Sequence, residues 1–218
     1  MKKTGIIFDL DGTLLDTLQD LHENVNHALQ EYGYPLRTRE EIRSFVGNGI
    51  EMLMRRALPH EVSEAEFSKV FALFKKHYSE NLNNHTAPYP GIISLLGELK
   101  KRNVLLGVVS NKFQYGVDQL VNEFFSGYIQ VAVGTGPGLR PKPAPDAVDA
   151  ALERLGLKKD EDLLFYVGDS DVDILTARGA GIPVVSVSWG FKNREFLEGF
   201  DPDYMVDRPE EILTLIDK

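Results

Sequence analysis

Short apolar runs alternate with helical stripes along most of this chain. Gly5–Phe8, Val104–Val109, Ile129–Val133, Leu163–Val167, Pro183–Val187 and, more weakly, Tyr204–Val206 are β-branched or apolar segments, each followed by a helical pattern. Strands without polar alternation are buried on both faces, so the pattern predicts a parallel sheet covered by helices on each side. The intervening helices fit: Ile92, Leu95, Leu96 and Leu99 recur at helical spacing, as do Val117, Leu120, Val121 and Phe124.

The stretch 16–86 has no strand pattern. Leu18, Leu21, Val25, Ala28, Leu29 and Tyr32 form one helical stripe, closed by Gly33 and followed by Pro35. Thr38 with Glu41 and Ser63 with Glu66 are capping-box pairs that open further helices. Ile50, Leu53, Met54, Ala57 and Leu58 make a second stripe, and Phe67, Val70, Phe71, Phe74 and Tyr78 a third. The expected organisation is an α/β core from residues 1–15 and 87–218, interrupted after its first strand by a helical domain over 16–86.

Composition narrows the partners. The chain has 218 residues, 24 Lys and Arg against 33 Asp and Glu, and a net charge of −9, which argues against nucleic acid or an anionic membrane surface. With no cysteine, thiolate catalysis, thiolate metal sites and disulfides are excluded, and a reducing cytoplasm is the expected location. No apolar run reaches the roughly 18 residues of a membrane helix. Asp9 and Asp11 interrupt what could otherwise resemble a signal-peptide core at Ile6-Ile7-Phe8. All five histidines lie between positions 22 and 85, and His22 and His27 are five apart, about 140° around a helix. They cannot share a metal, and solvated helix histidines are expected there.

In an open parallel sheet, ligands bind outside the carboxyl ends of the strands. The first strand here runs into Asp9-Leu10-Asp11-Gly12-Thr13, the second into Ser110-Asn111-Lys112, and the fourth into Gly168-Asp169-Ser170-Asp171-Val172-Asp173. After the third come glycines at 134, 136 and 138 and then Arg140-Pro141-Lys142-Pro143. Singly, such residues are ordinary caps and turn formers. Together they place carboxylates, a hydroxyl and a lysine at one sheet edge. Carboxylates so gathered raise one another's pKa unless a cation joins them, and Mg²⁺ is the hard ion suited to oxygen ligands and phosphate. There is no Gly-Lys pair for a Walker A loop, and the glycine cluster lacks the third glycine of a dinucleotide fingerprint.

Asp9-Leu10-Asp11-Gly12-Thr13-Leu14, Ser110-Asn111, Lys142 and Gly168-Asp169 with Asp173, in that order, resemble the four motifs of the haloacid dehalogenase-like hydrolases. The helical insert resembles that family's small cap domain. Val46-Gly47-Asn48-Gly49, Tyr89-Pro90-Gly91 and Ala180-Gly181-Ile182 look most like the phosphoglycolate phosphatases within it. The resemblance implies a Rossmann-like core with an inserted cap and a Mg²⁺-dependent phosphatase acting on a small phosphorylated metabolite such as 2-phosphoglycolate. It assigns Asp9 as nucleophile and Asp11 as acid and base. Asp9, the Asp11 carbonyl and Asp169 would hold the metal, with Asp173 holding metal-bound water or orienting Lys142. Ser110, Asn111 and Lys142 would grip the phosphoryl group and Thr13 would steady Asp9, while Asn48 and Arg56 in the cap would read the organic part. Arg55 and Arg56 could instead pair with Glu51 or Glu61.

A phosphomutase of the same family, similar to β-phosphoglucomutase, shares every core motif and is the nearest rival. A receiver-like signalling module also combines acids, a hydroxyl and a lysine on a parallel sheet, but lacks an insert after the first strand. Trp189, Phe191, Phe196 and Phe200 are expected to be packing residues. The chain is expected to be a monomer or homodimer.

Overall fold

The computed structural model describes residues 2–217. It divides into two compact units, one formed by the chain up to Asp16 and from Pro88 onward, the other by Thr17–Ala87. These limits lie within one residue of the division expected from the sequence.

The inserted unit carries four helices: α1 (Leu18–Glu31), α2 (Arg39–Phe45), α3 (Gly49–Ala57) and α4 (Glu64–Glu80). The apolar stripes Leu21, Val25 and Leu29 of α1, Leu53 and Met54 of α3, and Val70 and Phe74 of α4 are buried. Thr38 makes the full capping box with Glu41. At Ser63 only half of the expected box forms: its hydroxyl accepts from the Glu66 amide, whereas the Glu66 carboxylate accepts from the Tyr34 hydroxyl. His22 and His27 are packed rather than solvated. His27 stacks on His77 at 3.7 Å between ring centroids, and the Nδ1 of His77 lies 2.7 Å from Asn24 Oδ1. His22 Nε2 lies 3.0 Å from the Arg37 carbonyl oxygen. Asp20, buried on α1, accepts from the His85 and Thr86 amides and the Thr86 hydroxyl, tying the end of the unit to its beginning.

The other unit is built on six strands: β1 (Thr4–Phe8), β2 (Leu105–Phe113), β3 (Val131–Thr135), β4 (Leu163–Gly168), β5 (Val184–Val187) and β6 (Tyr204–Val206). All pairings are parallel, in the order β3-β2-β1-β4-β5-β6. Side-chain alternation sends Ile6 and Phe8 to one face, against Leu95, Leu96 and Leu99 of α5 (Ile92–Lys101) and Val117 and Leu120 of α6 (Gln114–Phe125). It sends Ile7 to the other, against Val148 and Ala151 of α7 (Asp146–Leu155) and Ile174 and Ala177 of α8 (Asp171–Ala180). Both faces of β1 are therefore dry, which is why it reads as an unbroken apolar run. The strand order reverses between β1 and β4, and the crevice outside their carboxyl ends is the binding position of such sheets.

β2 runs four residues beyond its expected end and contains Ser110, Asn111 and Lys112. Its pairing with β3 is irregular there, with Val109 opposite Val133 but Phe113 opposite Thr135. The extra residues interrupt the ladder between β2 and β3, the usual way a bulge re-aims side chains.

Candidate active site

Asp9 directly follows β1, its amide donating to the Val167 carbonyl of β4 at 2.8 Å. The chain then turns tightly, the amides of Leu14 and Leu15 returning to the Leu10 carbonyl. Gly12 has φ +91, and a Cβ there would stand 2.5 Å from Asp169 Oδ2, so this turn needs glycine on two grounds. Asp169 follows β4. Its Oδ1 accepts from the Thr13 hydroxyl at 3.0 Å and its Oδ2 from the Phe191 amide at 2.8 Å. Thr13 thus steadies Asp169 rather than Asp9, and its hydroxyl is spent there instead of on a ligand. The reason is the turn, which puts the Thr13 side chain beside the neighbouring strand end.

Asn111 and Lys142 hold each other reciprocally, the Lys142 amide donating to Asn111 Oδ1 at 2.8 Å and Asn111 Nδ2 donating to the Lys142 carbonyl at 3.0 Å. This fixes the Arg-Pro-Lys-Pro loop beneath the site. The Lys142 ammonium donates to Asp173 Oδ1 at 2.7 Å and to the Tyr166 hydroxyl at 3.1 Å. The Tyr166 hydroxyl in turn donates to Asp173 Oδ1 at 3.0 Å. Asp173 Oδ2 accepts from the amide and hydroxyl of Ser170, which cap α8. With both oxygens of Asp173 doubly bonded, orienting Lys142 is the one of its two expected roles that is visible. Lys142 Nζ also lies 2.8 Å from Asp9 Oδ1, a charge contact off the line of a good hydrogen bond. Asp9 Oδ1 is buried and has no hydrogen-bond donor.

Three buried carboxylates, Asp9, Asp169 and Asp173, bring oxygens within 4.8 Å of one another, against the single ammonium of Lys142. Burial raises the Asp9 carboxyl well above its usual range, with Lys142 opposing and Asp173 and Asp169 adding to the rise. Burial, then the Asp173 charge, lifts Asp169 to about 7. Burial works against the charge on Lys142, but Asp173 and Asp9 outweigh it and hold the ammonium well above its ordinary value. Three carboxylates and one ammonium leave an excess of two negative charges when all are ionised. An all-oxygen set with that excess fits a hard divalent cation such as Mg²⁺.

The structure therefore gathers Asp9, Thr13, Lys142, Asn111, Asp169 and Asp173. Ser110 is also buried, its hydroxyl accepting from the Lys112 amide at 3.2 Å. The Asp11 carboxylate lies outside the trio and pairs with Lys112. Asn48 and Arg56 belong to the inserted unit and bond to each other: Arg56 donates to Asn48 Oδ1 at 2.7 Å and to the Phe45 carbonyl at 2.6 Å. Arg55 pairs with Glu51 as anticipated, but with Glu64 instead of Glu61. Sequence reasoning missed Tyr166 and Lys112, and it took the segment around Trp189 for packing alone. Trp189 Nε1 in fact donates to the Thr13 carbonyl at 3.0 Å. Tyr166 looks like one more apolar strand residue, and its seven-residue separation from Asp173 gives no sign of the contact.

Residues 6–187 match the haloacid dehalogenase-like hydrolase family. The chain belongs to the haloacid dehalogenase-like hydrolases. It is 33% identical to a phosphoglycolate phosphatase of Aquifex aeolicus over 97% of this chain and 96% of the relative. It is 32% identical to one of Mesorhizobium japonicum, over 94% and 91%. Among solved structures, a haloacid dehalogenase-like hydrolase of Streptococcus pneumoniae superposes with a TM-score of 0.87 at 26% identity, covering 98% of each chain.

Proposed function

We propose that this hydrolase is a Mg²⁺-dependent phosphatase that cleaves a small phosphate monoester through an aspartyl-phosphate on Asp9, with 2-phosphoglycolate as its substrate. The observation that carries the reading is the Asp9 carboxylate, held at the carboxyl end of β1 with Oδ1 buried 2.8 Å from the Lys142 ammonium and beside the carboxylates of Asp169 and Asp173. The phosphatase class itself is supported by the family and by the relatives' shared activity.

Phosphate monoesters hydrolyse so slowly unaided that rate enhancements up to about 10²¹-fold are required, and a carboxylate nucleophile splits the reaction into two easier displacements. In the first, an Asp9 oxygen bonds to phosphorus as the ester P–O bond breaks. The leaving oxygen keeps the bonding pair and takes a proton from the Asp11 carboxyl. In the second, a water oxygen attacks phosphorus while Asp11 takes its proton, the Asp9–phosphorus bond breaks, and inorganic phosphate leaves. Ser110, the Asn111 amide and Lys142 hold the phosphoryl oxygens, and Asp173 with Tyr166 fixes where the Lys142 charge sits. Mg²⁺ held by Asp9 and Asp169, with the Asp11 carbonyl, would supply charge neutralisation at phosphorus.

A carboxylate-bearing substrate is supported by the relatives and by the exposed Arg56 guanidinium beside Asn48, a cation suited to an anion. A second reading comes from a pyrophosphatase of Oceanobacillus iheyensis, 29% identical over 97% of this chain. A third keeps the chemistry but passes the phosphoryl group to a sugar hydroxyl, as a β-phosphoglucomutase does. The cytoplasm is the proposed location of a cysteine-free enzyme of small metabolites; among the described residues no helix is long and apolar enough to cross a membrane.

The test is phosphate release with Mg²⁺ from 2-phosphoglycolate, pyrophosphate, β-glucose 1-phosphate and p-nitrophenyl phosphate, for wild type and Arg56→Ala. We expect kcat/KM to be highest on 2-phosphoglycolate, and Arg56→Ala to lower that value about tenfold or more while changing p-nitrophenyl phosphate little. Preference for pyrophosphate, or sugar phosphate isomerised without phosphate release, would replace this substrate assignment. An equal effect of Arg56→Ala on both monoesters would remove the arginine from it.

A further inference from the structure

Lys112 is a lysine with almost no access to water, and the chemistry above leaves it without a task. Its side chain is 1% exposed, and its ammonium lies 2.9 Å from Asp11 Oδ1 and 3.2 Å from Oδ2. The Asp11 side chain is 15% exposed, so the pair sits at the edge of the site rather than in bulk solvent. We propose that Lys112 is the positioning residue of the proton-transfer group, fixing the direction in which the Asp11 carboxyl faces. This rests on the reading of Asp11 as acid and base.

The pair is built rather than incidental. The irregular end of β2 places Lys112, and its amide is anchored on the Ser110 hydroxyl at 3.2 Å. Its carbonyl accepts from the Thr135 hydroxyl at 3.2 Å. The aliphatic stem passes over Gly116 of α6, where a Cβ would lie 3.3 Å from Cδ, 3.4 Å from Cγ and 3.5 Å from Cε. A lysine so threaded has few rotamers left, and its ammonium meets both oxygens of the Asp11 carboxylate. The other buried ammonium, Lys142, is committed to Asp9, Asp173 and Tyr166. The two lysines thus divide the carboxylates between them.

An ammonium touching both oxygens of a carboxylate uses one lone pair on each and leaves the others for a leaving oxygen or a water. It also removes the rotation of the carboxyl about its last torsion. A general acid must lie within hydrogen-bond reach of the oxygen it protonates, and a 1 Å misplacement costs about 10²-fold. The effect depends on the leaving group. An alkoxide must be protonated as it departs, whereas p-nitrophenolate leaves as the anion, and kcat/KM in this two-step scheme reports only the steps through its departure.

Lys112→Met keeps the stem and removes the charge. We expect kcat/KM on an alkyl phosphate that the enzyme turns over to fall at least about tenfold and that on p-nitrophenyl phosphate no more than about threefold. Lys112→Arg, which retains a cation but carries it further out, should show the same split at smaller size, and it serves if the Met variant does not fold. An equal fall on both substrates, or no fall on either, would overturn the assignment. Asp11→Asn separates the two layers. If it fails to show the split, the reading of Asp11 itself fails. If it shows the split and the Lys112 variants do not, only this inference fails. In the Asp11→Asn background, Lys112→Met should add less than about a twofold loss on the alkyl phosphate.

Discussion

The roles of individual residues at this site follow from which donors each carboxylate already has. Asp173 is saturated by Lys142, Tyr166 and Ser170, Asp169 is held by Thr13 and the Phe191 amide, and Asp9 meets the Lys142 ammonium through a single ion-pair contact. That asymmetry sets the proposed nucleophile apart from its supports more sharply than the motif does, because Asp9 and Asp169 are both aspartates that follow strands. Tyr166 shows the cost of reading residues singly. In sequence it continues an apolar strand; in the structure its hydroxyl bridges Lys142 and Asp173 and is itself raised well above its usual pKa, by burial first. Tyr166→Phe keeps the ring and the fold. With the bridge gone and the Lys142 ammonium less constrained, kcat/KM should fall about tenfold, the equivalent of one hydrogen bond to a charged group, with the melting temperature little changed. Steady-state kinetics beside a thermal melt checks this, and an unchanged kcat/KM would show that Asp173 and Ser170 suffice to place Lys142.

At the scale of elements, the legible features were those with a period. The unbroken apolar strands, the helical stripes and the strand ends rich in acids all follow from burial on two faces and from where such sheets bind ligands. What was hidden depends on departures from the period. The extension of β2 through Ser110–Lys112 requires an irregular register that no residue pattern announces, so Lys112 read as the end of a strand instead of a partner of Asp11. Histidines five apart on a helix read as solvated because their neighbour is on another helix: His77 of α4 stacks on His27 of α1. That contact has a consequence for pH. Burial, then the charge of His27, holds the His77 pKa below its ordinary value, with Glu80 opposing. A lowered histidine binds its proton less tightly folded than unfolded, so its contribution is present above about pH 6.5 and is lost as pH falls through the ordinary histidine range. Urea midpoints from pH 7.5 to 5.5 should therefore drop more for wild type than for His77→Gln. Parallel curves would mean that the stacked pair carries no such linkage.

For the whole molecule, the order β3-β2-β1-β4-β5-β6 explains why residues far apart in the chain meet. Asp9 and Asp169 follow adjacent strands on either side of the reversal, and the carboxylates there outnumber the ammonium of Lys142 three to one. On the proposed reading, that imbalance makes turnover depend on a cation. Chelation should reduce turnover by more than about a hundredfold, Mg²⁺ should restore it, and Ca²⁺ should not, because its larger and looser shell misplaces Asp9 relative to phosphorus. Turnover that persists after exhaustive chelation would show that protons, rather than a metal, relieve the acidic cluster. The central claim is that the phosphoryl group rests on Asp9 between the two displacements, and a covalent trap tests it most directly. Enzyme quenched in acid during turnover and reduced with borohydride should carry homoserine at position 9 in its peptide mass spectrum, with no such conversion in Asp9→Asn, which should also be inactive. Continued turnover by Asp9→Asn, or reduction at a different aspartate, would contradict the account.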